Sequence, residues 1–339
     1  MTIQQAIIKL INRENLTATE MQDAMRQIMQ NEATEAQKAA FLVAMRVKGE
    51  TVVELTTAAK MMLQLMVPVV VNKPHLVDVV GTGGDGAHTF NISTASSIVA
   101  AAAGAFVARH GNRSVSSTSG TADVLSRAGV NLELSAEQVA RCIEEVGIGF
   151  IFAPLYHPAM KAVAAVRKEL GVRTFLNLLG PLVNPAKTPH LLLGVFSKEW
   201  LMRIAQVALE LNYQHVLVVH SEDGLDEISI AAPTSVAELR NQEITTYTIT
   251  PEQFGLKRGN LRDIRVENSE QSLKLIEDVL SNKDGMARDV VLLNAGAALY
   301  VAGIVKDIAS GIKKAATTIS SGAAQQKFKD FVAMTKSVV

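Results

Sequence analysis

The stretch that decides the fold is "LVDVVGTGGDGAHTFNISTASSIVAAAAGAFVARHG", residues 76–111. It opens on the apolar run "LVDVVG" and closes on a second one, "AFVARHG". A loop dense in glycine and then small apolar residues, which predict a helix from Ser93, lie between the two runs. We expect a strand, a loop, a helix and a second strand in that order. A glycine loop between a strand and a helix is typical of phosphate binding, because glycine lets the backbone approach a ligand closely.

The same alternation continues along the chain. Apolar runs recur in "IGFIFAP" (148–154), "HLLLGVFS" (190–197), "HVLVVHS" (215–221) and "EITTYTIT" (243–250), with helical stretches between them and on to the C-terminus. Continuous apolar strands separated by helices predict a mostly parallel sheet that is covered by helices on both faces. We therefore expect an α/β domain over residues 75–339.

The first 66 residues have a different pattern. They contain no proline, and their apolar residues recur at helical spacing. Thr17 with Glu20, and Thr34 with Gln37, form the sequence signature of a capping box. We predict a small all-helical domain of about four helices over residues 1–70, with helical contributions from about 160–185.

Composition excludes several classes of protein. Lysine plus arginine and aspartate plus glutamate both number 33, so no net charge draws the chain to nucleic acid or to an anionic membrane. The segment "MTIQQAIIKL" has no signal-peptide pattern, and the small-apolar run at 97–108 is too short to span a bilayer. The single Cys142 cannot form an internal disulfide. We expect a cytoplasmic protein with no membrane segment and no nucleic-acid partner.

The first glycine loop has more than one interpretation. Gly81, Gly83 and Gly86 match the G-x-G-x-x-G pattern of a dinucleotide site. However, the second strand ends in Arg109 and His110 and not in the acidic residue that binds a ribose, so only an NADP-dependent oxidoreductase would fit that pattern. A structural hairpin is the other alternative. The polar side chains around the glycines favour phosphate binding over both.

A second polar loop, "RHGNRSVSSTSGTAD" (109–123), follows the next strand. Its arginines, amide and hydroxyls form a good receptor for a polyphosphate. Loops after adjacent parallel strands converge at the carboxyl edge of the sheet, so the two loops predict a ligand with phosphates at two places. A solvated surface loop is the alternative for this segment.

Two further segments carry charges that need partners. In the helix "HPAMKAVAAVRKELG" (157–171), the inward stripe at i, i+3, i+4 and i+7 consists of Met160, Val163, Ala164 and Arg167. Arg167 must then reach the surface, pair with an internal carboxylate or bind a substrate carboxylate. His157 either lines the same pocket or is structural. In "HSEDGLDEIS" (220–229), the pair Asp226 and Glu227 follows a strand, which suits Mg²⁺ if the loop is not simply solvated.

The sequence resembles the anthranilate phosphoribosyltransferases nearly end to end. The resemblance is carried by "DVVGTGGDG" (78–86), "HGNRSVSS" (110–117), "VRKELGVRTFLNLLGPLVNPA" (166–186) and "VVHSEDGLDEIS" (218–229). It implies the nucleoside phosphorylase/phosphoribosyltransferase type of fold and a homodimer through the helical domain. It also implies transfer of the phosphoribosyl group from 5-phosphoribosyl 1-diphosphate (PRPP) to the amine of anthranilate, in tryptophan biosynthesis, with two Mg²⁺ ions in each site.

The resemblance also implies the site residues. PRPP contacts are expected from the first loop at Gly81, Gly84, Asp85, Thr89, Asn91, Ile92, Ser93 and Thr94, and from the second loop at Arg109, His110, Gly111, Asn112, Arg113, Ser114, Val115, Ser116, Ser117 and Thr121. Asn112 and Arg167 are expected to hold anthranilate, with His157 in the same pocket. The expected Mg²⁺ ligands are Ser93, Asp226 and Glu227, and the expected catalytic residues are Arg109, His110 and Asn112.

Two positions depart from the family pattern. Lysine is common where this chain has Arg109, and K-S-G-S is common where it has Thr118 to Thr121. The changes bear on PRPP affinity more than on reaction type, and we expect Arg109→Lys to keep activity within about tenfold unless the loop is built around arginine. A pyrimidine nucleoside phosphorylase and a nucleic-acid-binding paralogue are the alternative functions.

Overall fold

The computed structural model describes residues 1–113 and 119–338. The chain begins with four helices: α1 (Ile3–Ile11), α2 (Ala18–Met29), α3 (Glu35–Lys48) and α4 (Val52–Leu65). Each helix starts at a threonine that forms a capping box, and those predicted at Thr17 and Thr34 are confirmed. The methionine stripe of α2 is buried, as its spacing predicts. The small N-terminal helical domain is therefore confirmed.

A seven-stranded sheet forms the centre of the larger part of the chain. Its strands are β1 (Leu76–Gly81), β2 (Phe106–Gly111), β3 (Ile148–Phe152), β4 (His190–Gly194), β5 (His215–Ser221), β6 (Thr234–Arg240) and β7 (Glu243–Ile249), in the order β3-β2-β1-β4-β5-β6-β7. The first five strands are parallel, and β6 and β7 are antiparallel. The mostly parallel sheet is confirmed. Strand β6 was not predicted; it forms a hairpin with β7 through Asn241 and Gln242, which both have positive φ.

Helices cover both faces of this sheet. The helices that follow β1 are α5 (Ile92–Ala102), α6 (Thr121–Arg127), α7 (Ala136–Val146), α8 (Ala153–Tyr156), α9 (Lys161–Leu170), α10 (Phe175–Leu179), α11 (Trp200–Glu210), α12 (Ser269–Leu280), α13 (Met286–Val301), α14 (Ile308–Ser320) and α15 (Ala323–Ser337), and of these α9 and α10 lie against the N-terminal helices. Helix α5 begins one residue before the predicted start. The helix predicted from Pro158 opens with a 3-10 turn, and its α-helical part begins at Lys161. In the described part of the chain, no helix has the length and apolarity needed to cross a membrane.

Both faces of the sheet are buried in apolar clusters. Along β5, Leu217 and Val219 pack in the cluster that contains α5 and α13, whereas Val216 and Val218 pack in the cluster of α11 and the N-terminal helices. Because successive strand side chains point to opposite faces, a strand covered on both faces reads as a continuous apolar run. This is why the parallel strands are visible in the sequence.

Helices α9 and α10 pack against the N-terminal helices. Val163, Val166 and Phe175 belong to the same apolar cluster as Met25 and Phe41. The rings of Phe41 and Phe175 meet edge to face with centroids 6.3 Å apart. The division of the chain into domains at 1–70 and 75–339, with 160–185 joining the first, stays a prediction.

Strand order defines where the site lies. From β1 the chain proceeds to β2 and β3 on one side, and it then returns to β4 and β5 on the other side of β1. The order therefore reverses between β1 and β4, and such a switch point opens a crevice at the carboxyl edge of the sheet. The loops after β1, β2 and β5 all leave from this edge.

Candidate active site

A cleft of 440 Å³ lies at this switch point, between the carboxyl edge of the sheet and helices α9 and α10. Of the predicted site residues, those that line it are Gly81, Gly84, Arg109, His110, Gly111, Asn112, Arg113, Thr121, His157 and Arg167. The structure thus brings both polar loops and the predicted anthranilate pocket to one cavity. The predicted residues Ser114, Val115, Ser116 and Ser117, and the departure at Thr118, lie outside the described residues.

The glycines of the first loop allow Asp226 to approach closely. A Cβ on Gly81 would lie 2.4 Å from Oδ2 of Asp226, and the backbone N–H of Gly83 donates to the same oxygen at 2.6 Å. A Cβ on Gly194, at the end of β4, would lie 1.5 Å from the backbone oxygen of Asp226. The loop after β5 can therefore enter the site only because glycine ends both β1 and β4.

The remaining predicted residues of the first loop, like Asp226 and Glu227, do not line the cleft. Asp85, Thr89, Asn91, Ile92, Ser93 and Thr94 are absent from the cleft lining. Ile92 is buried in the apolar core, so only its backbone is available to a ligand. The Asn91 side-chain oxygen accepts hydrogen bonds from the hydroxyls of Ser119 (2.9 Å) and Ser272 (2.7 Å). Asn91 therefore ties the first loop to the end of the second loop and to α12.

Asp226 and Glu227 form a buried acidic pair, with 7% and 8% of their surfaces exposed. Burial raises the pKa of Glu227 to about 7, against the opposing effect of Arg109. Burial, with Asp85 and Glu227 nearby, raises the pKa of Asp226 well above its ordinary value. Buried carboxylates with raised pKa values need more positive charge than the chain supplies.

This donor set suits Mg²⁺, which takes one or two carboxylates and completes its octahedron with water and phosphate oxygens. Ser93 completes the set, because it lies beside Glu227 and its hydroxyl and backbone N–H lower the pKa of that carboxyl. Among the described residues, no three His, Cys, Asp or Glu side chains are grouped closely enough to hold a metal alone. The site fits a metal that also needs oxygens from a ligand.

Arg109 lies in the floor of the cleft and is 5% exposed. Its Nη2 donates to Ser93 Oγ at 3.0 Å and to Thr121 Oγ1 at 3.1 Å, and its Nη1 donates to the His110 carbonyl at 2.7 Å. Nη1 also lies 3.7 Å from Oδ1 of Asp78. The guanidinium is thus held by the protein itself from several directions.

The imidazoles of His110 and His157 both line the cleft and lie next to each other, with their ring centroids 5.1 Å apart. Burial lowers the pKa of His110 to about 3 and that of His157 to about 4, so both rings are neutral at pH 7. The backbone carbonyls of Gly180 and Val183 partly oppose the fall in pKa of His110 and His157 respectively, and Nε2 of each ring has no protein partner within the described residues. These atoms can accept a proton or a hydrogen bond from a ligand.

Helix α9 presents Arg167 to the cleft, as predicted, but its stripe divides in two. Val163 and Val166 are buried in the helical core, whereas Met160, Ala164 and Arg167 line the cleft. The prediction that Ala164 is buried was wrong, because its side of the helix faces the open cavity and not a neighbouring helix. Burial lowers the pKa of Arg167, and no hydrogen bond or ion pair satisfies its guanidinium within the described residues.

Arg173 also lines the cleft and was missed by the sequence analysis. Its guanidinium lies 4.5 Å from the centroid of the Phe196 ring, and a Cβ on Gly84 would lie 2.8 Å from its Nε. The sequence contains one signal for Arg173: it lies in "VRKELGVRTFLNLLGPLVNPA", a segment that carries the family resemblance and also contains Arg167.

The helical bundle, the α/β domain and the cleft between them define the class of the protein. Residues 4–66 match the helical bundle domain of the glycosyl transferase family, and residues 73–325 match its a/b domain. Among curated relatives, the anthranilate phosphoribosyltransferase of Thioalkalivibrio sulfidiphilus is 56% identical over 99% of this chain and 100% of its own length. That of Alkalilimnicola ehrlichii is 51% identical over the whole of both chains. The chain belongs to the anthranilate phosphoribosyltransferase family.

Solved structures agree with this assignment. Anthranilate phosphoribosyltransferase from Thermus thermophilus superposes with a TM-score of 0.92 at 41% identity, over 98% of this chain and 99% of that one. The enzyme from Saccharomyces cerevisiae in complex with PRPP and Mg gives a TM-score of 0.90 at 28% identity, over 99% of this chain and 98% of that one. The same yeast enzyme in complex with 4-fluoroanthranilate gives 0.88 at 27%, with the same coverage. The sequence-based identification and the predicted α/β fold are confirmed.

Proposed function

We propose that the cleft joins the amine of anthranilate to C1 of the ribose of PRPP and releases diphosphate, as a step of tryptophan biosynthesis. The observation that carries this proposal is Arg167: a partly buried guanidinium, with no protein partner among residues 1–113 and 119–338, lines the same cavity as the glycine loop. A planar guanidinium suits a carboxylate, because two parallel hydrogen bonds form between them. Asn112, at the end of β2, lines the same cavity.

The bond changes require alignment and charge neutralisation more than a nucleophilic side chain. A C–N bond forms at C1 as the C–O bond to diphosphate breaks, and by analogy with glycosyl transfer the transition state has oxocarbenium character. Arg167 and Asn112 hold the acceptor by its carboxylate, which orients the amine. The amine nitrogen of anthranilate is neutral at pH 7, and it loses its proton after attack, to solvent or to Nε2 of the neutral His110 or His157.

Ser93, Asp226 and Glu227 would hold Mg²⁺, and we propose two ions in each site. When bound, Mg²⁺ neutralises the charge that the leaving diphosphate gains. The fit rests on the two buried carboxylates and on their position against the glycine loop. The yeast relative with PRPP and Mg supports the same metal.

We also propose a homodimer that forms through the helical domain. Helices α1 and α3 pack together, and each carries two exposed apolar side chains about one helical turn apart: Ile8 and Ile11 on α1, and Val43 and Val47 on α3. Val47 is 69% exposed and Ile11 67%, and exposed apolar side chains grouped in this way mark an association surface. The proposed location is the cytoplasm, in line with the biosynthetic reaction and the free Cys142.

Product analysis by mass spectrometry tests the reaction. Purified protein is incubated with Mg²⁺ and either PRPP plus anthranilate or a pyrimidine nucleoside plus phosphate. We expect N-(5-phosphoribosyl)anthranilate and one equivalent of diphosphate from the first pair, and no free base from the second. Free base from the nucleoside, with no product from PRPP, would assign the cleft to a nucleoside phosphorylase.

A further inference from the structure

A chain of buried polar groups runs from Asn184 and Asp78, which the sequence analysis did not single out, through Arg109 to Ser93 and Thr121. The Asn184 side-chain amide donates to Asp78 Oδ2 at 2.7 Å and to the Ala108 carbonyl at 2.8 Å. Asp78 Oδ1 accepts from the backbone N–H of Val79 at 2.8 Å and lies 3.7 Å from Arg109 Nη1. Asn184 and Asp78 are fully buried, so this anchor is rigid and does not reach the cleft itself.

The anchor fixes the direction of two hydroxyl hydrogen bonds. A guanidinium carries only donors, so the Ser93 and Thr121 oxygens that meet Arg109 Nη2 must accept from it. Each hydroxyl proton must then point elsewhere. The Ser93 hydroxyl lies close enough to Glu227 to lower the pKa of that carboxyl, so its proton can point there. Thr121 lines the cleft, and its hydroxyl has no second protein partner within the described residues, so its proton is available to an anionic oxygen in the cavity.

We propose that Arg109 is a positioning residue, anchored by Asp78 and Asn184, that fixes Thr121 as a hydrogen-bond donor to PRPP and Ser93 as a donor to Glu227. This inference rests on the proposed function. It differs from the direct phosphate contact that the resemblance implies, because the Nη atoms already serve Asp78, Ser93, Thr121 and the His110 carbonyl.

The inference also accounts for arginine where lysine is common. An ammonium has three donors at one point, whereas the guanidinium spreads its donors over a planar fork. The four acceptors around Arg109 lie on different elements: β1, α5, β2 and the start of α6. A lysine ammonium, whose three donors leave one point, is too compact to serve groups on four different elements at once.

The test variant is Asp78→Asn, which keeps the shape of the anchor and removes its charge. PRPP binding is measured by titration calorimetry, once with Mg²⁺ and once with EDTA. We expect the dissociation constant for PRPP to rise about tenfold, since the ion pair that orients Arg109 and the hydrogen bond that Asp78 accepts from Asn184 are both lost. The KM for anthranilate should stay within about twofold. If Arg109 instead contacts the diphosphate directly, freeing it from Asp78 would leave PRPP binding unchanged or make it tighter, and that result would overturn the proposal.

Two further variants separate positioning from folding. Asn184→Ala keeps the ion pair and removes the hydrogen bonds of Asn184 to Asp78, to the Ala108 carbonyl and from the Ala186 N–H. It should weaken PRPP binding about threefold even if Asp78→Asn fails to fold. Glu238→Gln is the matched control, because it alters a buried carboxylate of the same sheet at the edge remote from the cleft. It should lower the melting temperature without changing the PRPP dissociation constant. Weaker PRPP binding in this control would show that loss of stability alone explains the effect.

A double-mutant comparison tests the path of the effect. If Asp78 acts through Arg109 on Thr121, then Asp78→Asn should weaken PRPP binding much less in a Thr121→Val background than in the wild type. Equal factors in both backgrounds would contradict the path. If the wild-type protein binds no PRPP, the proposed function fails; if it binds PRPP and the variants bind as well or better, only this inference fails.

Discussion

Replacing Arg167 by alanine should act on anthranilate and spare PRPP. The side chain projects from α9, whose buried Val163 and Val166 fix the helix against the helical core. Its guanidinium faces the cleft without a protein partner within the described residues. Arg167→Ala therefore breaks no internal ion pair, and its effect should appear in substrate binding and not in stability.

The magnitude follows from the contact that is lost. A charge-assisted hydrogen bond contributes about 1.5 kcal/mol at the lower end of its range, and this lower value suits a half-buried side chain such as Arg167. Two such bonds to the carboxylate of anthranilate therefore contribute about 3 kcal/mol of binding free energy. At about 1.4 kcal/mol for each factor of ten, kcat/KM for anthranilate should fall about 100-fold. The KM for PRPP should stay within about twofold.

The assay is the loss of anthranilate fluorescence, repeated with aniline as acceptor and product read by chromatography. Aniline lacks the carboxylate, so the preference of the wild type for anthranilate over aniline should largely disappear in Arg167→Ala. Lys168→Ala is the matched control, since its exposed side chain neighbours Arg167 and does not line the cleft. Equal effects of Arg167→Ala on both substrates, or an unchanged preference for anthranilate, would refute the assignment.

Three further outcomes are expected. Glu238→Gln should lower the free energy of unfolding by about 2 kcal/mol at pH 7, because Glu238 accepts hydrogen bonds from two tyrosine hydroxyls. Burial raises the pKa of Glu238, but these bonds and His215 outweigh it and lower the pKa to about 2. The difference in free energy of unfolding between the wild type and the variant, measured by calorimetry, should therefore shrink as pH falls from about 5 toward 2. A difference that stays constant over this range would contradict the reasoning. Gly194→Ala should abolish turnover in the fluorescence assay, since its Cβ would lie 1.5 Å from the Asp226 backbone oxygen; full activity would show that the loop can shift. His157 should show no imidazole titration between pH 6 and 8 by NMR, because burial holds its pKa near 4. At pH values below about 6.5 the unfolded chain binds a proton at this residue and the folded chain does not, so the free energy of unfolding should decrease there.

Local signals explain how much of the fold could be predicted. Capping boxes at Thr17 and Thr34 mark helix starts through contacts three residues apart, and strands buried on both faces read as continuous apolar runs. Strand β6 was not predicted because the turn of its hairpin consists of Asn241 and Gln242 and contains no glycine, the residue that usually marks such a turn. A contribution from about 160–185 to the helical domain was predicted, but the contacts by which α9 packs on the bundle join distant segments and no local pattern records them.

The candidate site could also be predicted only in part, because some of its features are local in the sequence and others depend on distant residues. Glycine loops, the acidic pair and an inward arginine can be found in the sequence, since each is a local pattern. The direction in which Arg109 points could not be predicted, because it depends on Asp78 in the neighbouring strand and on Asn184, which lies far along the chain. The role of Gly194 was equally hidden: it is an ordinary strand glycine until the loop that carries Asp226 packs over it.

The central claim is that this cleft transfers the phosphoribosyl group of PRPP to anthranilate with the help of Mg²⁺ held at Asp226 and Glu227. The most direct test is to mix the purified protein with PRPP and anthranilate and to follow anthranilate fluorescence, first with EDTA and then after adding Mg²⁺ in excess. We predict no change with EDTA and a prompt loss of fluorescence on adding Mg²⁺. Steady fluorescence in Mg²⁺, with folded protein and both substrates intact, would contradict the account.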